Sequence, residues 1–378
     1  MLEIDLDYGA ITIDTSVFDN NGIALEKGLL KQLDQFKSSP VKVIISEIVD
    51  NEVLIHLTEK VKDARAKIKQ ALRLAQYQIC ITEDNIDQAQ KLINGVGNDI
   101  DVARSRIDTF YDNTGSEIVK CTGAVEVTEL IDRYFNFKAP FEKSADKKYE
   151  FPDALALLAI EKYAESHNIS ILAVSLDKGW ADFAKSSSRI AVMDNLSDAI
   201  SHFQPINSAQ STIESIKFDY ISGKSNHVLD AIAHEIENSL EDLDIFIEAT
   251  SSFNYEEDDV YAEYKSHEIY SDNTGNPEIN LIRVEPELII IQLTANVTCE
   301  IHASFDYAVW DSVDKEYLGM GSSGYSIEEK YPTEVLISLS GDYSEGLQSV
   351  SVENVEVIDT PSHIDFGEVE PDWRHSEY

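Results

Sequence analysis

The chain has 378 residues, 43% hydrophobic and 9% aromatic, which is enough apolar content for two or three globular units and too much for a disordered chain. Lys and Arg total 30 against 70 Asp and Glu, a net charge of −40, so a broad electrostatic grip on nucleic acid or anionic lipid is excluded and a polyanion must be held locally. The three cysteines, Cys80, Cys121 and Cys299, have neither CxxC nor zinc spacing, the start MLEIDLDYG lacks the features of a secretory signal, and no run of about 18 apolar residues occurs; the reading is a cytoplasmic protein with no membrane attachment.

Taken in chain order, AITID (10–14) and VKVIIS (41–46) are short β-branched runs, each followed by a helical pattern that opens with small polar residues. A stretch from about 52 to 138, including EKVKDARAKIKQALRLAQYQ and DNIDQAQKLINGV, is too long for a loop and reads as a helical insert. A helix over 153–166, strands over 169–175 and 189–193, and a helix over 196–203 follow. Strand and helix alternating in this way predict an α/β unit, a parallel sheet covered on both faces. HFQPINSAQST reads as a linker, and the charge changes across it: residues 1–205 carry 23 basic and 33 acidic side chains, residues 206–378 carry 7 and 37. The second part should hold a helix over 225–248 and then extended segments at 287–311, 333–340 and 349–359, an acidic α+β or mostly β domain.

Four acids recur at the ends of these elements. Asp14 follows the first strand, Glu47 the second and Asp177 the third, while Asp153 opens a helix behind Pro152. In a parallel sheet the carboxyl ends of the strands share one edge, where ligands bind. Two carboxylates about 4 Å apart repel by roughly 4 kcal/mol at an effective dielectric of about 20, so a cluster of them needs a cation or must take up protons. A donor set of oxygen alone suits Mg²⁺ or Mn²⁺ and disfavours zinc.

IDTSVF, SEIVDNEV, FPDALALL and VSLDKGW, in that order, resemble the motifs of the PIN-domain nucleases: an acid ending the first strand, an acid opening a following helix, an Asp opening a later helix, and an Asp after a strand in a [TS]xD context. The long helical insert and KKYEFPDALAL look more like the larger bacterial PIN-like proteins than the compact toxin type, and the resemblance spans residues 8–205. It implies a three-layer PIN-like sheet and a metal-dependent phosphodiesterase, most often an endoribonuclease on single-stranded RNA with DNA left open, and a toxin or defence role. Asp14, Glu47, Asp153 and Asp177 would be catalytic and would hold Mg²⁺ or Mn²⁺, with Asp14 central. Asp182 and Asp50 stand in reserve as ligands, the wide spacing of DKGWAD leaving the fourth ligand open. Thr15 and Ser16 would hydrogen-bond a carboxylate or the scissile phosphate.

Simpler roles compete with each of these. A lone Asp after a strand is ordinarily a helix N-cap, and acids in a first helical turn complement the helix dipole. A haloacid-dehalogenase-like phosphatase loop would need a second Asp where Ser16 stands, and a MIDAS-type DxSxS site is broken at Phe18. Phosphate contacts are expected on one helical face of the insert, Lys62, Arg65, Lys69 and Arg73, or nearer the acids at Lys147 and Lys148. Residues 206–378 should repel RNA; a protein-binding module is the expected role, and NYEEDDVYAEY reads as a solvated loop or as a polyanion mimic that covers a basic groove. The alternative to a nuclease is a non-catalytic binding or regulatory protein that keeps the fold.

Overall fold

A computed structural model of the chain describes residues 8–79, 81–94, 97–141, 147–205, 209–241, 243, 245–312 and 315–372. The chain divides into two units, Met1–His202 and Phe203–Tyr378. Cys121 and Cys299 are free thiols, and Cys80 lies outside the described residues. Among the described residues no helix is long and apolar enough to cross a membrane.

The first unit runs β1 (Tyr8–Ile13), α1 (Thr15–Asn20), α2 (Gly28–Lys31), β2 (Lys42–Ser46), α3 (Glu47–Gln78), α4 (Glu83–Asn94), α5 (Asp99–Thr114), β3 (Glu117–Val119), α6 (Val127–Asn136), α7 (Phe151–His167), β4 (Ser170–Val174), α8 (Lys178–Ala184), β5 (Ile190–Met193) and α9 (Leu196–Ser201). The five strands lie in the order β3-β2-β1-β4-β5 and every pairing is parallel; Ile11 sits opposite Val43 on one side and Leu172 on the other. The β-branched runs are buried because helices cover the sheet: Ile11, Ile44, Ile45, Ile171 and Val174 have no exposed surface. α7 is apolar nearly all round, and its buried Ala154, Ala156, Ala159 and Ala164 allow a close approach to the sheet. Strand order reverses between β1 and β4, so the carboxyl ends of these two strands flank the crevice where ligands of open parallel sheets bind.

The region read as an insert is more continuous with the fold than its sequence suggests. α3 starts at the end of β2, capped by Ser46 Oγ accepting from the Ile48 and Val49 amides, and runs 32 residues, about 48 Å. Val49, Val53 and Leu57, one turn apart, bury its first third; from residue 59 onward it is largely exposed. Asp50 ties α3 to α5 by accepting from Arg104 at 2.7 Å and from the Tyr111 hydroxyl at 3.0 Å. Burial and the Asp50 charge push the Tyr111 phenol up. β3 is a fifth strand with no signal in the sequence, because three residues are too few to show a period.

The second unit runs α10 (Gln210–Ile221), α11 (His227–Asn238), β6 (Phe246–Thr250), β7 (Asn254–Ile269), β8 (Ile279–Glu285), β9 (Leu288–Asp311), β10 (Glu316–Gly341), β11 (Val350–Val357) and β12 (His363–Glu368). An antiparallel sheet is ordered β11-β10-β9-β7 with β8 also on β9, and β6 pairs with β12 in parallel. Alternate residues of β9, from Ala295 through Val297, Cys299, Ile301, Ala303 and Phe305 to Tyr307, face a core shared with Ile216 of α10 and Val228, Ile232 and Ile236 of α11. Two expectations are corrected here. The helix expected over 225–248 ends at Asn238, because FIEAT beyond it is β-branched and aromatic and pairs as β6. NYEEDDVYAEY is no loop: it forms β7 on β9, with Tyr255, Ala262 and Tyr264 against the core and its acids outward, a charged strand that discourages further pairing.

Candidate active site

Asp14 is the residue after β1. Its amide donates to Val174 O at 2.9 Å, extending the β1–β4 ladder by one bond and setting Asp14 beside Ser175. Its carboxylate, 5% exposed, accepts from the Thr15 amide at 2.7 Å, from Ser16 Oγ at 2.5 Å and from Ser175 Oγ at 2.8 Å. Burial pushes this carboxyl up, the three hydrogen bonds pull it down less, and the charge of Asp177 adds to the rise.

Asp177 caps α8, accepting from the Gly179 amide at 2.5 Å, and its own amide donates to Ser175 Oγ at 3.0 Å. Ser175 therefore spans Asp14 and Asp177, and Ser16 holds the same two loops together by accepting from the Leu176 amide at 3.2 Å. Gly179 is required by space: a Cβ there would lie 2.8 Å from Asp177 Oδ1 and 3.1 Å from Pro140 Cβ.

Asp153, in the first turn of α7, accepts from the indole nitrogen of Trp180 at 2.9 Å. Burial pushes its carboxyl up to about 7, the Trp180 bond pulls down, and Asp14, Asp177 and Glu52 push further up. Among the described residues, the charges acting on Asp14 and Asp153 in this way belong to other carboxylates. These acids are near enough to act on one another, each opposing the ionisation of its neighbours.

Glu52 is the member that sequence reasoning misses. Its carboxylate accepts from Thr15 Oγ1 at 2.6 Å, so Thr15 reaches Asp14 with its amide and Glu52 with its side chain. Glu47 points elsewhere: it accepts from the Cys121 amide and Lys120 Nζ, both at 3.1 Å, and these two bonds hold it below the usual carboxylate range. Five residues of helix separate Glu47 and Glu52 by about 140° around the axis, which is why one faces the β3 side and the other the cluster. Asp50 is engaged with Arg104 and Tyr111. Asp182 accepts from Lys185 at 2.5 Å, which holds it low, and lies near Lys178. Ser175 and Trp180 are the other contributors not singled out from sequence; VSLDKGW contains both.

The expected phosphate contacts divide in two. Lys62, Lys69 and Arg73 are exposed on α3, whereas Arg65 is tied down, donating to Gly97 O at 2.6 Å and pairing with Asp99 at 3.0 Å. Counted along the helix from Glu52, Lys62 lies about 15 Å away and Arg73 about 30 Å. Lys147 and Lys148 open a short 3-10 turn before α7, and their side chains lie outside the described residues.

The donor set of Asp14, Glu52, Asp153 and Asp177 is oxygen only, with Thr15, Ser16 and Ser175 holding the carboxylates from outside. That chemistry fits a hard divalent cation, which would relieve the mutual repulsion. A second acidic group, Glu263, Glu300 and His302 on β7 and β9, has potential ligand atoms within 4.8 Å of one another. It already has a cation: Lys265 Nζ stands 3.0 Å from Glu263 and 2.8 Å from Glu300.

Comparison with known families agrees with this geometry. A family model described as PIN domain matches residues 11–180, from β1 through Trp180. No curated protein and no solved structure matches the chain. Residues 11–180 of the first unit thus form a PIN domain.

Proposed function

We propose that the first unit is a metal-dependent endoribonuclease that cleaves single-stranded RNA, with Asp14, Glu52, Asp153 and Asp177 holding Mg²⁺ or Mn²⁺. The observation that carries this reading is the arrangement of the acids: burial pushes Asp14 and Asp153 up, and among the described residues the charges acting on them are those of other acids. A structural role alone would be served by capping one carboxylate at a time, as at Glu47. A bound divalent ion lowers the pKa of a coordinated water and neutralises charge on the leaving oxygen.

The chain's own groups prepare for that chemistry. Thr15, Ser16, Ser175 and Gly179 donate to the carboxylates and fix their orientation in the absence of substrate. The exposed Lys62, Lys69 and Arg73 would take phosphates upstream or downstream of the cut. Residues 206–378, with their large acidic excess, would serve a protein partner and not the RNA.

The test is cleavage of single-stranded RNA by the purified chain with Mn²⁺, with Mg²⁺ and with EDTA, beside a variant carrying Asp14→Asn and Asp153→Asn. Cleavage should need the metal and vanish in the variant. Equal cleavage by variant and parent would assign the activity to a contaminant and remove this reading.

A further inference from the structure

Trp180 is fully buried, and its indole N–H, the one polar atom of the side chain, donates to Asp153 Oδ1 at 2.9 Å. A buried Trp needs such a partner, and Phe would fill the same apolar space without one, as the equally buried Phe183 does one turn later on α8. The partner here is an acid of the cluster, on a different helix. One turn of α8 thus carries two holding contacts: Asp177 caps it by accepting from the Gly179 amide, and the Trp180 indole donates to Asp153. An N–H that only donates favours the ionised carboxylate over its protonated form.

We propose that Trp180 is a positioning residue for the cation: by taking Asp153 Oδ1 from inside the core it fixes the carboxylate and leaves Oδ2 as the oxygen that ligates. Asp153 and Asp177 belong to segments joined by β4, and Trp180 makes their separation a property of helix packing instead of two independent side-chain rotamers. The inference rests on the metal-dependent reading of the site.

The test uses the full chain and reads metal binding apart from turnover. Trp180→Phe removes the N–H and keeps a ring in the core. Hydrogen bonds to charged groups imply a Mn²⁺ affinity about tenfold weaker or more, read from the free Mn²⁺ signal in electron paramagnetic resonance. Phe183→Leu, which disturbs the same core without touching a carboxylate, should bind Mn²⁺ within about twofold of the parent. In ¹⁵N-labelled protein the indole resonance lost in Trp180→Phe should move on addition of Mg²⁺. Equal affinity in Trp180→Phe and parent, an equal loss in Phe183→Leu, or an indole resonance unmoved at saturating Mg²⁺ would each overturn the inference. A parent that binds no Mn²⁺ would remove the metal-dependent reading and this inference together; a parent that binds, with Trp180→Phe matching it, removes this inference alone.

Discussion

Asp153→Asn should stabilise the metal-free protein at alkaline pH. Burial first, and then the charges of Asp14, Asp177 and Glu52, push the Asp153 carboxyl up to about 7, while an unfolded Asp titrates near about 3.9. Between those values the folded chain holds the proton more tightly than the unfolded chain, so stability is full below about 4 and is lost as pH rises through about 7. Three units correspond to about 4 kcal/mol; partial solvent access at Asp153 reduces this to roughly 2–3 kcal/mol. For a unit of this size that is roughly 4–12 °C in melting temperature. Asn keeps the shape and can still accept from Trp180, so the substitution removes mainly the charge. In calorimetric melts with EDTA, parent and variant should coincide near pH 4, the variant should pull ahead as pH rises through 5 and 6, and its advantage should be complete at pH 8. With Mn²⁺ at pH 8 the order should reverse, because a cation favours the ionised parent and finds one ligand fewer in the variant. Comparing variant with parent cancels the general pH effect of the −40 net charge. A variant that melts below the parent at pH 8 in EDTA would refute the electrostatic account of the site.

Glu52→Gln should weaken Mn²⁺ binding by tenfold or more in calorimetric titration, while Glu47→Gln, which loses only the contacts to Lys120 and Cys121, should leave it within about twofold; the opposite ranking would restore Glu47 to the cluster. Gly179→Ala places a methyl 2.8 Å from Asp177 Oδ1 and should cost roughly 1–3 kcal/mol of stability by thermal melt together with Mn²⁺ affinity, whereas Gly22→Ala, where a Cβ meets nothing within 4 Å, should leave affinity unchanged despite the strain of its positive φ. Changing Lys62, Lys69 and Arg73 together to Ser should lower the slope of log affinity against log salt by about 2 for single-stranded RNA in fluorescence anisotropy, and an unaltered slope would show that this face does not contact phosphate. Asp50→Ala strands Arg104 and Tyr111 and should cost roughly 2–4 kcal/mol in denaturant unfolding with Mn²⁺ affinity preserved; loss of affinity would show that α3 is positioned through that contact.

Asp14, Asp153 and Asp177 stand out in the sequence because each adjoins a strong element: a β-branched strand before Asp14 and Asp177, a Pro-led helix around Asp153. Their convergence follows from parallel topology, which alternation of strand and helix already implies. Glu52 does not stand out, because it lies inside a long helix whose rotation about the sheet decides which acid faces the cluster; Glu47 has the better sequence position and the wrong azimuth. Arg65 has the spacing of a phosphate contact, but its partners Gly97 and Asp99 are more than thirty residues away and no local pattern reports them. In the second unit the period-2 pattern marks β9, where one face is buried; it fails for β7, whose outward face is so acidic that it reads as loop, although Tyr255 and Tyr264 lie on the inward face. The charge split near residue 205 and the division of the fold at His202 fall within a few residues of each other.

The interleaving of β4 beside β1 bears on when the acid cluster can assemble during synthesis of the chain. A ribosome delivers β1, Asp14 and Glu52 early, yet β4 must slot in against β1 before Ser175 can reach Asp14 or α8 can bring Asp177 and Trp180 to their partners. At about 5–20 residues per second, the 125 residues between Glu52 and Asp177 take roughly 6–25 s to translate. Through that interval the emerging polypeptide carries Asp14 and Glu52, and later Asp153, without Asp177. Chain topology itself thus postpones completion of the cluster until translation has passed the last acid.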